Sequence, residues 1–333
     1  MNYKRKSLVS ILIILIYTCL SVFSFAGCKP LLPPLKDIEV HTDFSVNFLD
    51  VGQGDCIFIR LPDGKNMLID CGEDDKYNEN SKYIKNYLNE YDVNKIDYFV
   101  LTHPDVDHIG NAVDIINNFS IGKMFIPKIH QALMQSFQPF EEILRLIEQK
   151  QIEFEYPILP TQIVKSDYHF AFLSPQNDSR NSYNNLAQNL VPTSGDINNL
   201  SPIIYFSCFN KRFVFTGDAE KKEEQYVVQN YLSKIYDIYY RDFKVNLNDV
   251  DYLKLSHHGS EDASCYEFLS LLKPKNAIIS VGNDNYYGHP SSETLLRLQN
   301  ICIEYSLYRT DQLGSICVYK EGQDFKVQSS KDN

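Results

Sequence analysis

Between Phe44 and Asp50, apolar and polar residues alternate, as on a strand with one covered face. The run ends in the tight turn Gly52-Gln53-Gly54-Asp55. Cys56 to Leu61 reads as a second strand, Pro62-Asp63-Gly64-Lys65 as a hairpin turn and Asn66 to Asp70 as a third strand, so the sheet begins antiparallel. The period then changes. Tyr83, Ile84, Tyr87, Leu88 and Tyr91 recur at helical spacing, which predicts a surface helix from Glu79 to Tyr91 with one apolar face. An apolar strand from Tyr98 to Leu101 follows, then a helix from Asn111 to Asn118, a strand from Lys123 to Ile126 and a longer helix from Gln131 to Gln151. Gln162 to Leu173 holds one strand or a hairpin. Ser174 to Leu200 is rich in Asn, Ser and Asp without apolar periodicity, the mark of a functional or mobile loop.

The second half repeats the strand and helix alternation. Strands are expected over Pro202 to Phe209, Arg212 to Thr216, Val250 to Ser256 and Asn276 to Val281, with helices over Glu220 to Ser233 and Ser264 to Leu272. A further helix over Ser291 to Gln299 is capped by Ser291 or Ser292, and strands Ile303 to Tyr308 and Ser315 to Tyr319 close the fold. Tyr236 to Leu247, with several tyrosines and mixed charge, reads as an insertion. No repeat of solenoid period is present. One α/β domain is expected over 43–320, its order suiting two mixed sheets packed face to face with helices outside, followed by a polar tail over 321–333.

The 333-residue chain is 44% hydrophobic, enough for a substantial core. Its formal net charge of −11 argues against tight nonspecific binding to a polyanion, which depends on Lys and Arg, but leaves open a phosphate held through metal ions. Lys4, Arg5 and Lys6 precede an apolar run from Leu8 to Phe25, the pattern of a secretory signal over 1–28. Phe25-Ala26-Gly27-Cys28 resembles a lipoprotein processing box in which Cys28 is lipidated, although Phe25 departs from the usual aliphatic residue. The run is also long enough to span a bilayer uncut, or it could be cleaved and the product released. Each alternative puts the domain outside the cytoplasm, and Pro30, Pro33 and Pro34 make 29–42 a stiff tether. Cys56, Cys71, Cys208, Cys265, Cys302 and Cys317 sit mostly in apolar stretches and read as small core residues.

Chemistry gathers where strands end. The strand Tyr98 to Leu101 runs into a loop carrying His103, Asp105, Asp107 and His108, imidazoles and carboxylates close enough to converge on one ion. Arg212 to Thr216 ends in Gly217-Asp218, and Val250 to Ser256 in His257-His258-Gly259-Ser260. Adjacent histidines point in different directions, so at most one of His257 and His258 is expected at the same ion. His130 and His169 lie outside any cluster and read as ordinary surface or core residues.

The loop resembles the metal-binding signature of the metallo-β-lactamase superfamily, usually His-x-His-x-Asp-His, with Asp105 in place of the middle histidine. Together with Phe48 to Asp55, Leu68 to Gly72, Asn198-Asn199-Leu200-Ser201 and Gly288-His289-Pro290, this variant resembles the hydrolase domain of ComEC-like DNA-uptake competence proteins. The resemblance implies an αββα sandwich and two divalent ions, zinc or manganese. One ion would be held by His103, Asp105 and a bridging Asp218, the other by Asp107, His108, Asp218 and His258, with His257 as the alternative to His258. Asp70 would orient the metal loop, while Asn199, Ser201, His257 and Ser260 would surround ligands or substrate. Asp107 and His289 would handle protons or phosphate oxygens. The oxygen-rich first site shifts preference toward manganese or toward partial occupancy. The activity implied is that of a phosphodiesterase acting on DNA or another phosphodiester. Hydrolysis of another ester, such as phosphocholine on cell-wall polymers, and metal binding without catalysis are the alternatives. Membrane attachment would come from the lipid anchor or the N-terminal helix, and no protein partner is implied.

Overall fold

The computed structural model describes residues 40–41, 43–75, 79–129, 136–175, 193–239, 244–283 and 285–331. The signal-type segment, the tether to residue 39, His130 and most of the polar stretch after Ser174 lie outside the described residues. The chain divides after Asp37, and the unit from Ile38 onward carries all that follows. Among the described residues, no helix is long and apolar enough to cross a membrane.

In chain order the strands are β1 (Ser45–Phe48), β2 (Ile57–Arg60), β3 (Asn66–Ile69), β4 (Lys95–Val100), β5 (Ser120–Phe125), β6 (Glu153–Glu155), β7 (Gln162–Val164) and β8 (Tyr168–Phe172). Then come β9 (Ile204–Cys208), β10 (Lys211–Phe215), β11 (Tyr252–Lys254), β12 (Asn276–Ile279), β13 (Ser306–Arg309), β14 (Ile316–Glu321) and β15 (Asp324–Ser329). Eight form one sheet in the order β15-β14-β1-β2-β3-β4-β5-β6, and seven form the other in the order β13-β12-β11-β10-β9-β8-β7. Both are mixed. In the first, β3 to β6 are parallel after the two opening hairpins. In the second, β7 to β10 are antiparallel and β10 to β13 parallel.

The sheets meet across an aromatic layer. Phe48, Ile57 and Ile69 from one interdigitate with Phe170, Phe206, Phe213 and Phe215 from the other, all fully buried. Burying each such side chain contributes roughly 1.5–3 kcal/mol, so the layer is a stiff platform for the loops at its edge. On the outer face of the first sheet, the helix Glu79–Glu90 sets Tyr87 against Phe58, and Tyr91 just beyond it packs there too. Both hydroxyls donate to Asn47 Oδ1, at 2.9 and 3.3 Å. The outer face of the second sheet is covered by Phe268 and Leu269 of the helix Tyr266–Leu272 and Leu298 of the helix Ser292–Ile301. Helix, sheet, sheet, helix is the αββα arrangement expected.

Of the two readings of Gln162 to Leu173, the hairpin is the one found, as β7 and β8, while two other expectations change. The supposed insertion is tied into the core: Tyr236, Val245 and Leu247 are buried beneath the second sheet's helices, anchors that its mixed charge concealed. The polar tail is largely β15, pairing antiparallel with β14 and packing Phe325 and Val327 against the inter-sheet core. Its alternation is too short and too diluted by Lys, Gln and Asp to stand out.

Every ligand-bearing loop leaves the carboxyl end of a strand running in the same sense within its sheet: β3 into Asp70, β4 into His103, β10 into Asp218, β11 into His257-His258. Open sheets of parallel strands collect their sites at that edge because the loops there are free of pairing duties.

Candidate metal centre

The metal loop is positioned from below by Asp70. Its own amide donates to Val100 O at 2.9 Å, and its carboxylate accepts from the Thr102 amide at 2.8 Å and hydroxyl at 2.7 Å. The remaining capacity of Oδ2 meets His108 Nδ1 at 2.8 Å, leaving Nε2 to face the centre. His258 is fixed in the same sense, since its Nδ1 stands 2.8 Å from the carbonyl of Ser280, which can only accept. His103 turns its Nδ1 toward the hydroxyls of Thr102 and Ser201, each at 3.1 Å. Ser201 also accepts from the Asp218 backbone amide at 3.1 Å, so one hydroxyl ties the His103 ring to the Asp218 main chain.

Three imidazoles thus turn Nε2 toward Asp218, two of them within one four-donor cluster. His108 Nε2 lies 3.2 Å from Asp218 Oδ1, and His258 Nε2 lies 3.4 Å from Asp107 Oδ2 and 3.5 Å from Asp218 Oδ2. The donor atoms of Asp107, His108, Asp218 and His258 all fall within 4.8 Å of one another. Donors bound tetrahedrally to zinc at about 2.0–2.1 Å stand about 3.3 Å apart, so the spacing fits an ion at their centre. His103 Nε2 extends the cluster, 3.7 Å from Asp105 Oδ2 and 3.9 Å from Asp218 Oδ2.

The Nε2 atoms of His103, His108 and His258 and Oδ1 of Asp218 are buried and make no hydrogen bond. Leaving so many polar atoms unsatisfied would cost roughly 1–3 kcal/mol each, so their convergence makes them candidate metal donors. The electrostatics agree. Burial would raise the Asp218 pKa, but the imidazoles of His258 and His108 outweigh it and hold the carboxyl well below its ordinary range. Burial likewise opposes protonation of His108, yet Asp218 and Asp70 drive its pKa well up. His103 is pushed down to about 3 by burial and by His108, so its imidazole is neutral. Burial and the Asp107 carboxylate raise Asp105 to about 6.

His257 and His258 both have left-handed backbone, with φ of 48° and 52°, followed by Gly259 at 85°. This unusual run brings both rings to Asp218 Oδ2: His258 enters the four-donor cluster with its Nε2 at 3.5 Å, and the less buried His257 sets its Nε2 at 3.7 Å. The turn is anchored by buried Glu224, which accepts from the Ser256 hydroxyl at 2.9 Å and the amides of Ser264 and Cys265 at 2.6 and 2.7 Å. Ser260 serves the turn, its amide bonded to His257 O and its hydroxyl accepting from the Asp262 amide.

Asn199 departs from its expected place. Its amide donates to Gly195 O at 2.6 Å and its oxygen accepts from the Glu220 amide, fastening a helix end away from the cluster. Its neighbour Asn198 faces the site instead, 2.9 Å from Glu220 Oε1 and 3.5 Å from His257 Nδ1. His289 lies beyond His257, their ring centroids 5.4 Å apart. Burial and the imidazoles of His257 and His258 push its pKa down to about 4. It is therefore a neutral hydrogen-bonding group rather than a standing acid.

Two residues that the sequence reading passed over join the sheets beneath the centre. Lys254 Nζ, buried, lies 2.5 Å from Asp55 Oδ2 and donates to Gly217 O at 3.1 Å. Asp55 ends the Gly52-Gln53-Gly54-Asp55 turn, where Gly54 has φ of 130° and a Cβ would meet Asp107 O at 2.2 Å. Only glycine allows that turn to press on the metal loop. Asp55, Asp70 and His108 also group closely, but the Lys254 ammonium already neutralises Asp55 and Asp70 holds His108 Nδ1, so they are no second ion site. A Lys inside an apolar strand was the available clue. Cys56, Cys71, Cys208, Cys265, Cys302 and Cys317 are free and buried, outside the cluster.

Residues 49–171 match the family described as the metallo-beta-lactamase superfamily. The chain is 28% identical over 290 residues to ComE operon protein 3 of Bacillus subtilis (strain 168), covering 83% of this chain and 33% of that protein. It is 27% identical over 256 residues to Recombination protein 2 of Haemophilus influenzae, covering 77% of this chain and 26% of that protein. The chain therefore spans about a third or less of these relatives' length. The solved metallo-beta-lactamase fold protein YhfI of Bacillus subtilis superposes with a TM-score of 0.47 at 10% identity, over 80% of this chain and 96% of that one. Fold, donor cluster and sequence matches point the same way: residues 49–171 match the metallo-beta-lactamase superfamily, and most of the chain is similar to part of each ComEC-family relative.

Proposed function

We propose that the domain is a metal-dependent phosphodiesterase whose natural substrate is DNA or a related phosphodiester, and that it works outside the cytoplasm on a membrane anchor. The observation that carries the catalytic part is the convergence of three unbonded, buried Nε2 atoms on two carboxylates. A pair of divalent ions in such a site supplies hydroxide at neutral pH and positive charge for a phosphoryl oxygen.

The chain's own residues divide the rest of the work. Asp107 is the cluster carboxylate open to solvent on one side, 3.4 Å from His258 Nε2. Burial is outweighed there by His108 and His258, which keep its carboxyl ionised, so it serves as ligand and orienting acceptor rather than as a proton store. His289 presents a neutral imidazole whose buried Nδ1 makes no hydrogen bond within the protein, suited to a substrate oxygen. The donor set of His103, Asp105 and Asp218 holds two carboxylates to one imidazole, which favours manganese over zinc on that side and phosphoryl over β-lactam substrates. With a net charge of −11, the protein's hold on a polyanion would come from the metal centre more than from a basic groove.

Purified protein loaded with manganese or zinc should cleave bis-p-nitrophenyl phosphate and single-stranded DNA, tested beside phosphocholine esters and a β-lactam. Cleavage of phosphocholine esters with DNA left intact would replace the DNA reading. Cleavage of none would leave a metal-binding protein. For the anchor, fatty-acid labelling should be present in the wild type and lost in Cys28→Ser; unlabelled wild type would replace lipidation with an uncut N-terminal span or release.

A further inference from the structure

We infer that Tyr287, stacked on His289 at the mouth of the metal centre, is a platform for a nucleobase, so that the substrate is a base-bearing phosphodiester strand. This rests on the phosphodiesterase reading above and narrows it to nucleic acid. A ladder of rings leads outward from the bridging carboxylate. His257 Nε2 lies 3.7 Å from Asp218 Oδ2, the His289 ring follows at 5.4 Å from His257, and Tyr287 stacks on His289 at 5.7 Å with 16° between planes. The next residue out, Tyr286, is fully exposed, and Tyr287 retains 72% exposure.

These tyrosines are displayed by a fastened loop. Asn285 donates to Gly282 O at 2.8 Å and His289 O at 2.9 Å, and its oxygen accepts from the His289 amide at 2.9 Å. The base of the loop is tied to the first sheet, where the Gly282 amide donates to Gln53 Oε1 at 3.2 Å. Two large aromatic side chains so presented bury nothing in the core, yet cost little conformational entropy on contact with a ligand.

The occupant follows from shape and charge. Near-parallel rings offer one flat face, which suits a planar base; a quaternary ammonium is better held by rings enclosing it from several sides. Base stacking is tolerant of sequence, because every base offers a π-face to the ring. A base on Tyr287 would place its backbone phosphate toward His289 and the ligands behind it.

The test compares manganese-loaded wild type, Tyr287→Ala and Tyr287→Phe on a short oligodeoxynucleotide and on the same phosphodiester chain carrying abasic sites. A phosphorothioate oligonucleotide containing 2-aminopurine gives a binding readout separate from turnover. Wild type should prefer the base-bearing strand in kcat/KM by roughly 5- to 100-fold, the range of one stacked base, and should quench 2-aminopurine fluorescence. Tyr287→Ala should bring the preference close to unity and remove the quenching, and Tyr287→Phe should restore both. Equal use of the two strands by wild type, with phosphodiester cleavage intact, overturns the platform alone. Failure to bind or cleave either strand overturns the phosphodiesterase reading and the platform with it. Tyrosine-dependent binding of phosphocholine, with no preference among strands, reassigns the platform to a quaternary ammonium.

Discussion

Asp107, His108, Asp218 and His258 set four donors within 4.8 Å of one another, and all but Asp107 are buried. On the adjoining side, His103 and Asp105 stand 3.7 Å apart, Asp105 is partly exposed, and the Nε2 atoms of His103 and His257 lie 3.9 and 3.7 Å from Asp218 Oδ2. The first side can complete a coordination shell from the chain alone. The second leaves positions for water and substrate. Closed ligand sets hold an ion; sets with open positions do chemistry on it. Two ions held by these two donor sets would divide affinity from reactivity about one shared carboxylate, and each variant below should move one set more than the other unless it touches Asp218.

The largest effect should come from Asp218→Ala, which removes the donor common to both faces. Elemental analysis should show loss of most bound manganese or zinc, and phosphodiester turnover should fall by several orders of magnitude. Retention of one tightly held ion would show that the faces are independent, and the bridge would be abandoned.

Lys254→Met should come next, measured by thermal unfolding. It strands the buried Asp55 carboxylate, which lies 3.7 Å from His258 Nδ1, and breaking one side of a buried pair costs about 3–5 kcal/mol. Adding Asp55→Asn to Lys254→Met should restore much of that stability, because the uncompensated charge is gone. If the single variant melts like the wild type, the pair does not brace the sheets.

Asp70→Asn should act through geometry on the closed face. It weakens the 2.8 Å contact that fixes His108, and a lost partner behind a metal-bound histidine typically costs 10–100-fold in affinity. The expected readout is a weaker first equivalent in a metal titration, with the second little changed. Equal weakening of both would mean that Asp70 supports the whole loop through Thr102 rather than His108 in particular.

Much of this was legible in the chain because strand ends and metal ligands coincide. The apolar run into His103, the Gly217-Asp218 ending and the adjacent His257-His258 each announced a loop at a sheet edge, and alternation forecast the opening hairpins. What stayed hidden depended on pairings across the fold. Lys254 looked like an interruption in an apolar strand until Asp55 stood 2.5 Å away. Glu224 looked like one more charge on a surface helix, whereas it is buried and holds the turn after the histidines. Asn198 and Asn199 could not be ranked by spacing, since a short helix decides which amide faces the site. The strand β15 was missed because its inward positions are only Phe325 and Val327 among polar residues.

The smallest effect sharpens the comparison most. Asp105, on the open face, has its carboxyl raised from an ordinary 3.8 to about 6 by burial and by the Asp107 carboxylate. A raised carboxyl pKa stabilises the folded protein only while protonated: that contribution is whole below about pH 4 and is lost as the pH rises through about 6. An ion entering this face must displace the same proton, so its affinity should fall as the pH drops below about 6, by up to about tenfold per unit. His103, pushed down to about 3, is neutral throughout this window and cannot be the cause. On the closed face the protons to be displaced sit on His108 and His258, both raised by the surrounding carboxylates against the pull of burial, so the first equivalent should keep tightening above pH 6. Metal titrations from pH 5 to pH 8 should therefore show the second equivalent levelling off while the first still strengthens. Asp105→Asn should flatten the second curve between pH 5 and 6 at the cost of weaker binding. If that variant keeps the wild-type pH dependence of the second equivalent, Asp105 is not a ligand and the open face is held by His103 and Asp218 alone.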